Sequence, residues 1–175
     1  MNPEENMDIP IVETERLRLR GFVLSDFEEL VKLNMNQDFV NFFGTGEVIS
    51  RYESWNVLSM MVGHWQLREF GLWLVEDKIS NTFIGRVGCW QPEGWPGVEV
   101  AWGISPSYWG KGYAPEAARA SIEWAFSNIS TNKLISVIHP ENKASKRVAI
   151  KIGEKHTSTE IVNGKKSDIY TITRD

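Results

Sequence analysis

Residues 98–117 constrain the fold more than any other part of this chain, because they read as a strand, a turn with two glycines and a helix start. Val98, Val100, Trp102 and Ile104 alternate with Glu99, Ala101 and Gly103, so the strand has two unlike faces. The even positions read as core. The odd positions set a carboxyl beside small neighbours, which leaves room for a ligand near Glu99. Further on, Gly110 and Gly112 flank Lys111 where the helix opens. Amides in the first turn of a helix lack partners within it, and the helix dipole adds positive potential there. Glycines let an anion reach those amides, and Lys111 adds charge at the same place. A Gly-x-Gly pair alone serves equally well as a tight turn. Spacing excludes two phosphate motifs. A P-loop needs Ser or Thr after its Lys, where Gly112 stands. A dinucleotide fingerprint needs a third glycine, where Pro115 stands.

Other elements surround this segment. Residues 14–24 alternate Leu17 and Leu19 with Arg16, Arg18 and Arg20, as a half-wet strand does. Ser25 and Glu28 have the spacing of a capping box opening a helix that runs to about Asn34. Residues 51–68 carry an apolar stripe of Trp55, Leu58, Met61, Val62 and Trp65, ended by Gly71. Strands follow at 71–76, 83–90 and 98–104, then a helix at 114–126, a strand at 134–139 and a helix at 143–152. Asn163-Gly164 joins two last strands near 160–162 and 169–173. This order predicts one α/β (α+β) domain over residues 1–175, with 1–12 as a loose arm. Its sheet is expected to be mixed, mostly antiparallel and twisted, with about six or seven strands and about four helices.

The formal net charge of −4 argues against a nucleic-acid partner. No apolar run is long enough to cross a membrane, residues 1–12 do not read as a secretory signal, and the lone Cys89 forms no internal disulfide, so the cytoplasm is the expected location. Cys89 reads as buried packing rather than a nucleophile. The spacings of His64, His139 and His156 match no metal-ligand pattern, and no metal is expected. Trp90, Trp95, Trp102 and Trp109 lie close together, as core anchors or as walls of a cleft.

Residues 109–117, Trp-Gly-Lys-Gly-Tyr-Ala-Pro-Glu-Ala, resemble the acetyl-CoA loop and helix start of the GNAT acetyltransferases. The RimJ/RimL-like branch, which contains the ribosomal-protein N-terminal acetylases, is the nearer likeness. Glu99, Trp109 and Glu116-Ala117 match that branch, and residues 139–153 resemble the family's second motif through Asn142, Ser145, Lys151 and Gly153. The likeness runs from Thr14 to Thr173 in element order. It departs at Ser107, where many members have Gln or Arg, at Glu154, where an aromatic is usual, and at Ala149. Ala149 stands where many members carry the Tyr that protonates the leaving thiolate.

The resemblance implies a single GNAT-like domain that moves an acetyl group from acetyl-CoA directly to a primary amine in a ternary complex. The acceptor is a protein N-terminus or a small-molecule amine. An α-amine of pKa ~7.7 loses its proton more readily than a lysine of ~10.4, and a carboxylate of ~4.3 must act through water or with a raised pKa. Glu99 is the expected base, with a solvated strand carboxylate as the plain alternative. Ser145 is the expected partner of the thiolate, or a first-turn helix serine. Trp102, Gly103, Ile104, Trp109, Gly110, Lys111, Gly112, Tyr113 and Ala114 are expected to hold the cosubstrate. Asn142 is expected to meet the pantetheine arm, to cap the next helix, or both. The loop at 91–97 and the 51–68 helix are expected to shape acceptor choice. The acidic pI mildly favours cationic or amine-bearing acceptors. A non-catalytic acyl-CoA sensor and an interaction domain are the rival readings, and the protein is expected to act as a monomer or homodimer.

Overall fold

The computed structural model describes residues 9–174. In chain order the elements are β1 (Val12–Glu13), β2 (Leu17–Arg20), α1 (Phe27–Asn34), α2 (Gln37–Val40), α3 (Arg51–Arg68), β3 (Leu72–Asp77), β4 (Phe83–Trp90) and β5 (Glu99–Ile104). Then come α4 (Tyr113–Asn128), β6 (Lys133–Ile138), α5 (Lys143–Lys151), β7 (Lys155–Val162) and β8 (Lys165–Thr173). The strands form one sheet in the order β1-β2-β3-β4-β5-β6-β8-β7, antiparallel throughout except where β5 runs parallel to β6. Residues 1–8 of the expected N-terminal arm lie outside the described residues. Ile9 packs against Gly21, and the Pro10 carbonyl accepts from Trp73 Nε1 at 2.8 Å.

Among the described residues the sheet has eight strands, more than expected, because β1 forms ahead of the first predicted strand and pairs with β2 where a loose arm was expected. Thr14 Oγ1 accepts from the Leu17 N–H at 2.9 Å, and that turn separates β1 from β2. There are also five α-helices. The unexpected one, α2, has four residues and too few turns to show a period; the Asn36 side chain caps it by accepting from the Phe39 N–H. The Ser25–Glu28 capping box does not form. Asp26 accepts from the Val23 N–H at 2.8 Å and from both Nη atoms of Arg20, so this carboxylate organises the entry to α1. A capping box forms instead at Ser50 and Glu53, opening α3. Glu69 ends α3 in the left-handed region at φ 62°, two residues before the expected Gly71.

Residues of β3 alternate between two cores. Trp73 and Val75 join Leu17, Leu19, Val87, Val100 and Ile104 against Ala117, Ala118, Ile122 and Ala125 of α4. Leu74 points the other way, to Leu30 and Val31 of α1 and Leu58 and Met61 of α3. Of the predicted α3 stripe, Leu58, Met61 and Trp65 are buried, while Trp55 and Val62 are exposed. Trp65, Trp73 and Trp124 meet edge to face with centroids 5.0–5.7 Å apart. Cys89 is fully buried, as expected, and burial pushes its thiol up to about 12. Among the described residues no helix is long and apolar enough to cross a membrane.

Candidate active site

The sheet opens between β5 and β6. The two strands pair at one register position, Glu99 with Ile135, and Ile135 N–H donates to the Val98 carbonyl at 3.0 Å. A parallel ladder would next join Val137 N–H to the Val100 carbonyl. Instead, Val137 N–H donates to Glu99 Oε1 at 3.2 Å, and Ser136 Oγ takes the Val100 carbonyl at 2.7 Å. Side chains thus replace the ladder, and the strands diverge beyond them. By the period of two, Trp102 and Ile104 turn their backbone groups into the gap. The Ile104 carbonyl is taken by Trp109 Nε1 at 2.7 Å, so an indole closes the far end of the strand.

Glu99 lies at the apex of this gap and is only 7% exposed. The room expected on this face of β5 is narrowed at its far end, by Gly103. Phe39 and Phe43, stacked at 4.8 Å, lie over Gly103 so closely that a Cβ there would meet them at 3.0–3.1 Å. The second Glu99 oxygen accepts from Trp95 Nε1 at 2.8 Å, which ties the loop at 91–97 to β5. That loop is held at its start as well. His64 Nδ1 donates to the Phe70 carbonyl at 2.7 Å, and its Nε2 accepts from the Gln91 N–H at 3.0 Å. Both bonds together require the neutral ring, and burial holds His64 below its ordinary pKa. Burial pushes the Glu99 carboxyl up to about 7, against the pull of the Val137 and Trp95 donors.

A second buried carboxyl stands where the family's aromatic was expected. Glu154 is 3% exposed, its Oε2 has no partner, and its Oε1 lies 2.9 Å from Ser136 Oγ. A serine hydroxyl has one hydrogen. With that hydrogen on the nearer Val100 carbonyl, the Glu154 contact is satisfied by a proton on Glu154 itself. Burial, and secondarily the Glu99 charge, push Glu154 up to about 8, above Glu99. The pattern of a sequence gives no sign of such a pair, because Ser136, Glu154 and Glu99 meet only through the fold.

The glycine turn is built as expected. Gly110 and Gly112 have φ of 76° and 81°, and Gly112 is the N-cap of α4. Tyr113 and Ala114 lie in the first turn, where their amides have no intrahelical acceptor. Lys111 Nζ folds back on the Ser107 carbonyl at 3.1 Å and over the Tyr108 ring. A long-range clasp that no motif announces fixes this turn. Glu116 accepts from Thr14 Oγ1 at 2.6 Å, from the Arg16 N–H at 3.0 Å and from Arg16 Nε at 2.7 Å. Arg16 also donates to the Lys111 carbonyl at 2.9 Å and lies over the Tyr113 ring. The clasp runs from the β1–β2 turn to the start of α4 and spans about a hundred residues of chain, so no local signal marks it.

From the second predicted motif, Asn142 caps α5 by accepting from the Ser145 N–H at 3.0 Å, and its side-chain NH2 has no partner among the described residues. Ser145 Oγ accepts from Trp102 Nε1 at 3.2 Å, and so α5 is linked to the gap. Ala149 is fully buried against Ile138, Tyr170 and Trp102, and its methyl supplies no hydroxyl at this position. His139 is exposed and holds the Glu141 N–H within its own turn.

Known proteins match this chain in sequence and in overall fold. The model of the Acetyltransferase (GNAT) domain matches residues 16–155. The chain belongs to the GNAT acetyltransferase family. It is 34% identical to the uncharacterized Bacillus subtilis protein YkkB over 83% of this chain and 86% of that one. An acetyltransferase structure from Agrobacterium tumefaciens superimposes with a TM-score of 0.86 at 25% identity, covering 99% of this chain and all of the other. The ribosomal-protein-S5-alanine acetyltransferase of Vibrio fischeri shares the fold at 19% identity, with a TM-score of 0.75 over 95% of this chain and 97% of that one. Family membership makes the protein an acetyl-CoA-dependent acetyltransferase, with acetyl-CoA as cosubstrate.

Proposed function

We propose that this protein is an amine N-acetyltransferase that transfers acetyl directly from acetyl-CoA to a primary amine in a ternary complex. The observation that carries the reading is Glu99, a buried carboxyl with a pKa of about 7 at the apex of the β5–β6 gap. A base is most effective when its pKa lies near the working pH. The amine nitrogen attacks the thioester carbonyl, the carbon–sulfur bond breaks, and the amine proton passes through water to Glu99. The departing thiolate lies near Ser145, whose hydroxyl is already oriented by Trp102 and is free to donate. The backbone groups of Trp102 and the Ile104 N–H face the pantetheine arm, with Gly103 between them and the Asn142 NH2 as a further donor. The turn from Trp109 through Gly110, Lys111 and Gly112 to Tyr113 and Ala114 receives the pyrophosphate on its amides.

Direct transfer rather than an acyl-enzyme is supported by the state of the chain's one cysteine. Cys89 is buried and its thiol is held far from ionisation, so it makes a poor nucleophile. The test is a turnover screen across peptide N-termini, polyamines and aminoglycosides, following release of the CoA thiol, and then initial rates with both substrates varied. Intersecting reciprocal plots are expected; parallel plots would mean a covalent acetyl-enzyme and refute the ternary complex.

A further inference from the structure

Arg86 shares the sheet face of Glu99. The register pairs Arg86 with Gly103, Gly88 with Ala101 and Trp90 with Glu99, and these six residues point to the α1–α3 side. Two independent contacts fix that side: Trp90 stacks on His64 of α3 at 4.3 Å, and Phe39 and Phe43 lie over Gly103. Glu99 and the Gly103 partner of Arg86 are four residues apart on β5, ~13 Å between Cα atoms at strand rise.

Arg86 is half-buried, and no carboxylate lies within ion-pair distance of its guanidinium among the described residues. Its neighbours are Met61 Sδ at 3.9 Å and the rings of Phe39 and Phe43, with centroids 5.6 and 5.4 Å away. The other arginines near this sheet are arranged differently. Arg16 pairs with Glu116, Arg18 with Glu13 and Glu76, and Arg20 with Asp26 and Glu76. A guanidinium carries five donors and stays charged, and leaving it half-buried without an anion is costly. The rings keep the fork flat but supply no acceptor. The missing partner is an oxyanion, and a planar fork suits a carboxylate or a phosphate.

We propose that Arg86 binds an anionic group on the acceptor, so that the substrate is a primary amine bearing a carboxylate or phosphate a short spacer away. This rests on the amine-acetyltransferase reading of the same site. The acceptor's amine lies toward Glu99 and its anion toward Arg86, which places polyamines and aminoglycosides among the poor substrates. The expectation drawn from the acidic pI is reversed at this face, where the local unpaired charge is positive.

The experiment compares matched acceptors on the full chain: amino acids and dipeptides against their C-terminal amides, and aminoalkyl phosphates against aminoalcohols. Polyamines and aminoglycosides complete the panel. The wild type is expected to prefer the anionic members by at least tenfold in kcat/KM, whichever oxyanion proves better. Arg86→Met is expected to raise KM for them by on the order of 10²-fold with a smaller effect on kcat, and to erase the preference. Arg86→Lys should keep part of it. Arg86→Met should also raise the thermal midpoint, because an uncompensated charge is removed; a merely structural arginine would lower it. Equal or better use of amides, polyamines or aminoglycosides by the wild type overturns the assignment, as does a preference that survives in Arg86→Met. Turnover without charge preference overturns Arg86 alone, whereas no CoA release from any amine overturns the reading beneath it.

Discussion

Replacing Glu154 with Gln tests whether the buried carboxyl behind Ser136 carries a proton. An amide can donate to Ser136 Oγ as the acid does, so the packing is kept while the titration is removed. Raising the carboxyl from 4.5 to about 8 corresponds to a ceiling of about 5 kcal/mol. Relaxation and water entry on ionisation reduce this to ~2–3 kcal/mol. Because the folded pKa is raised, the stability from protonated Glu154 is fully present below about 4.5 and is lost as pH rises through about 8. The variant has no such loss. Urea unfolding of both proteins at pH 5, 7 and 9 isolates the site, since most other groups titrate alike in the two and cancel. The two should differ little at pH 5, and Glu154→Gln should be more stable by ~2–3 kcal/mol at pH 9 with an unchanged m-value. A difference that stays constant with pH refutes the argument. So does a variant that loses ground at high pH, since that would mean an ionised, hydrogen-bonded Glu154.

Two further outcomes follow from the cosubstrate side of the site. Gly112→Ala keeps ordinary contact with its nearest neighbour, Arg16 at 3.5 Å, but forces a side chain into φ of 81°. The strain of ~1–2 kcal/mol should raise KM for acetyl-CoA about tenfold with little change in kcat, read from initial rates. Ser145→Ala removes the hydroxyl that faces Trp102, and should lower kcat about tenfold while acetyl-CoA binding by calorimetry stays within about twofold.

How much of this was legible depended on whether the determining contacts were local. The start of α3, the Asn163-Gly164 hairpin turn and the two positive-φ glycines of the cosubstrate turn are set by neighbours within a few residues, and the chain displays them. The entry to α1 was misread because Ser25 and Asp26 compete for one role, and the pairing of Asp26 with Arg20 decides it. α2 is a single turn, too short to show a period, and with it went the rings of Phe39 and Phe43 that floor the Arg86 site. Alternation correctly set Glu99 apart from Val100 and Ile104. It could not show that Val137 and Trp95 would bury the carboxyl, or that Glu116 would reach back to Thr14 and Arg16. Those contacts arise from the sheet order.

Glu99 does chemistry in this reading rather than only holding the gap together. Glu99→Gln keeps the shape and one of the two acceptors that meet Trp95 and Val137, sets its NH2 against the other N–H, and cannot take a proton. Acetyl-CoA at about 100 times its Kd should stabilise wild type and variant alike, by about 2.7 kcal/mol. CoA release in the presence of an accepted amine should fall by about 10²- to 10⁴-fold in the variant. Turnover within about threefold of wild type, with acetyl-CoA binding intact, would contradict the account.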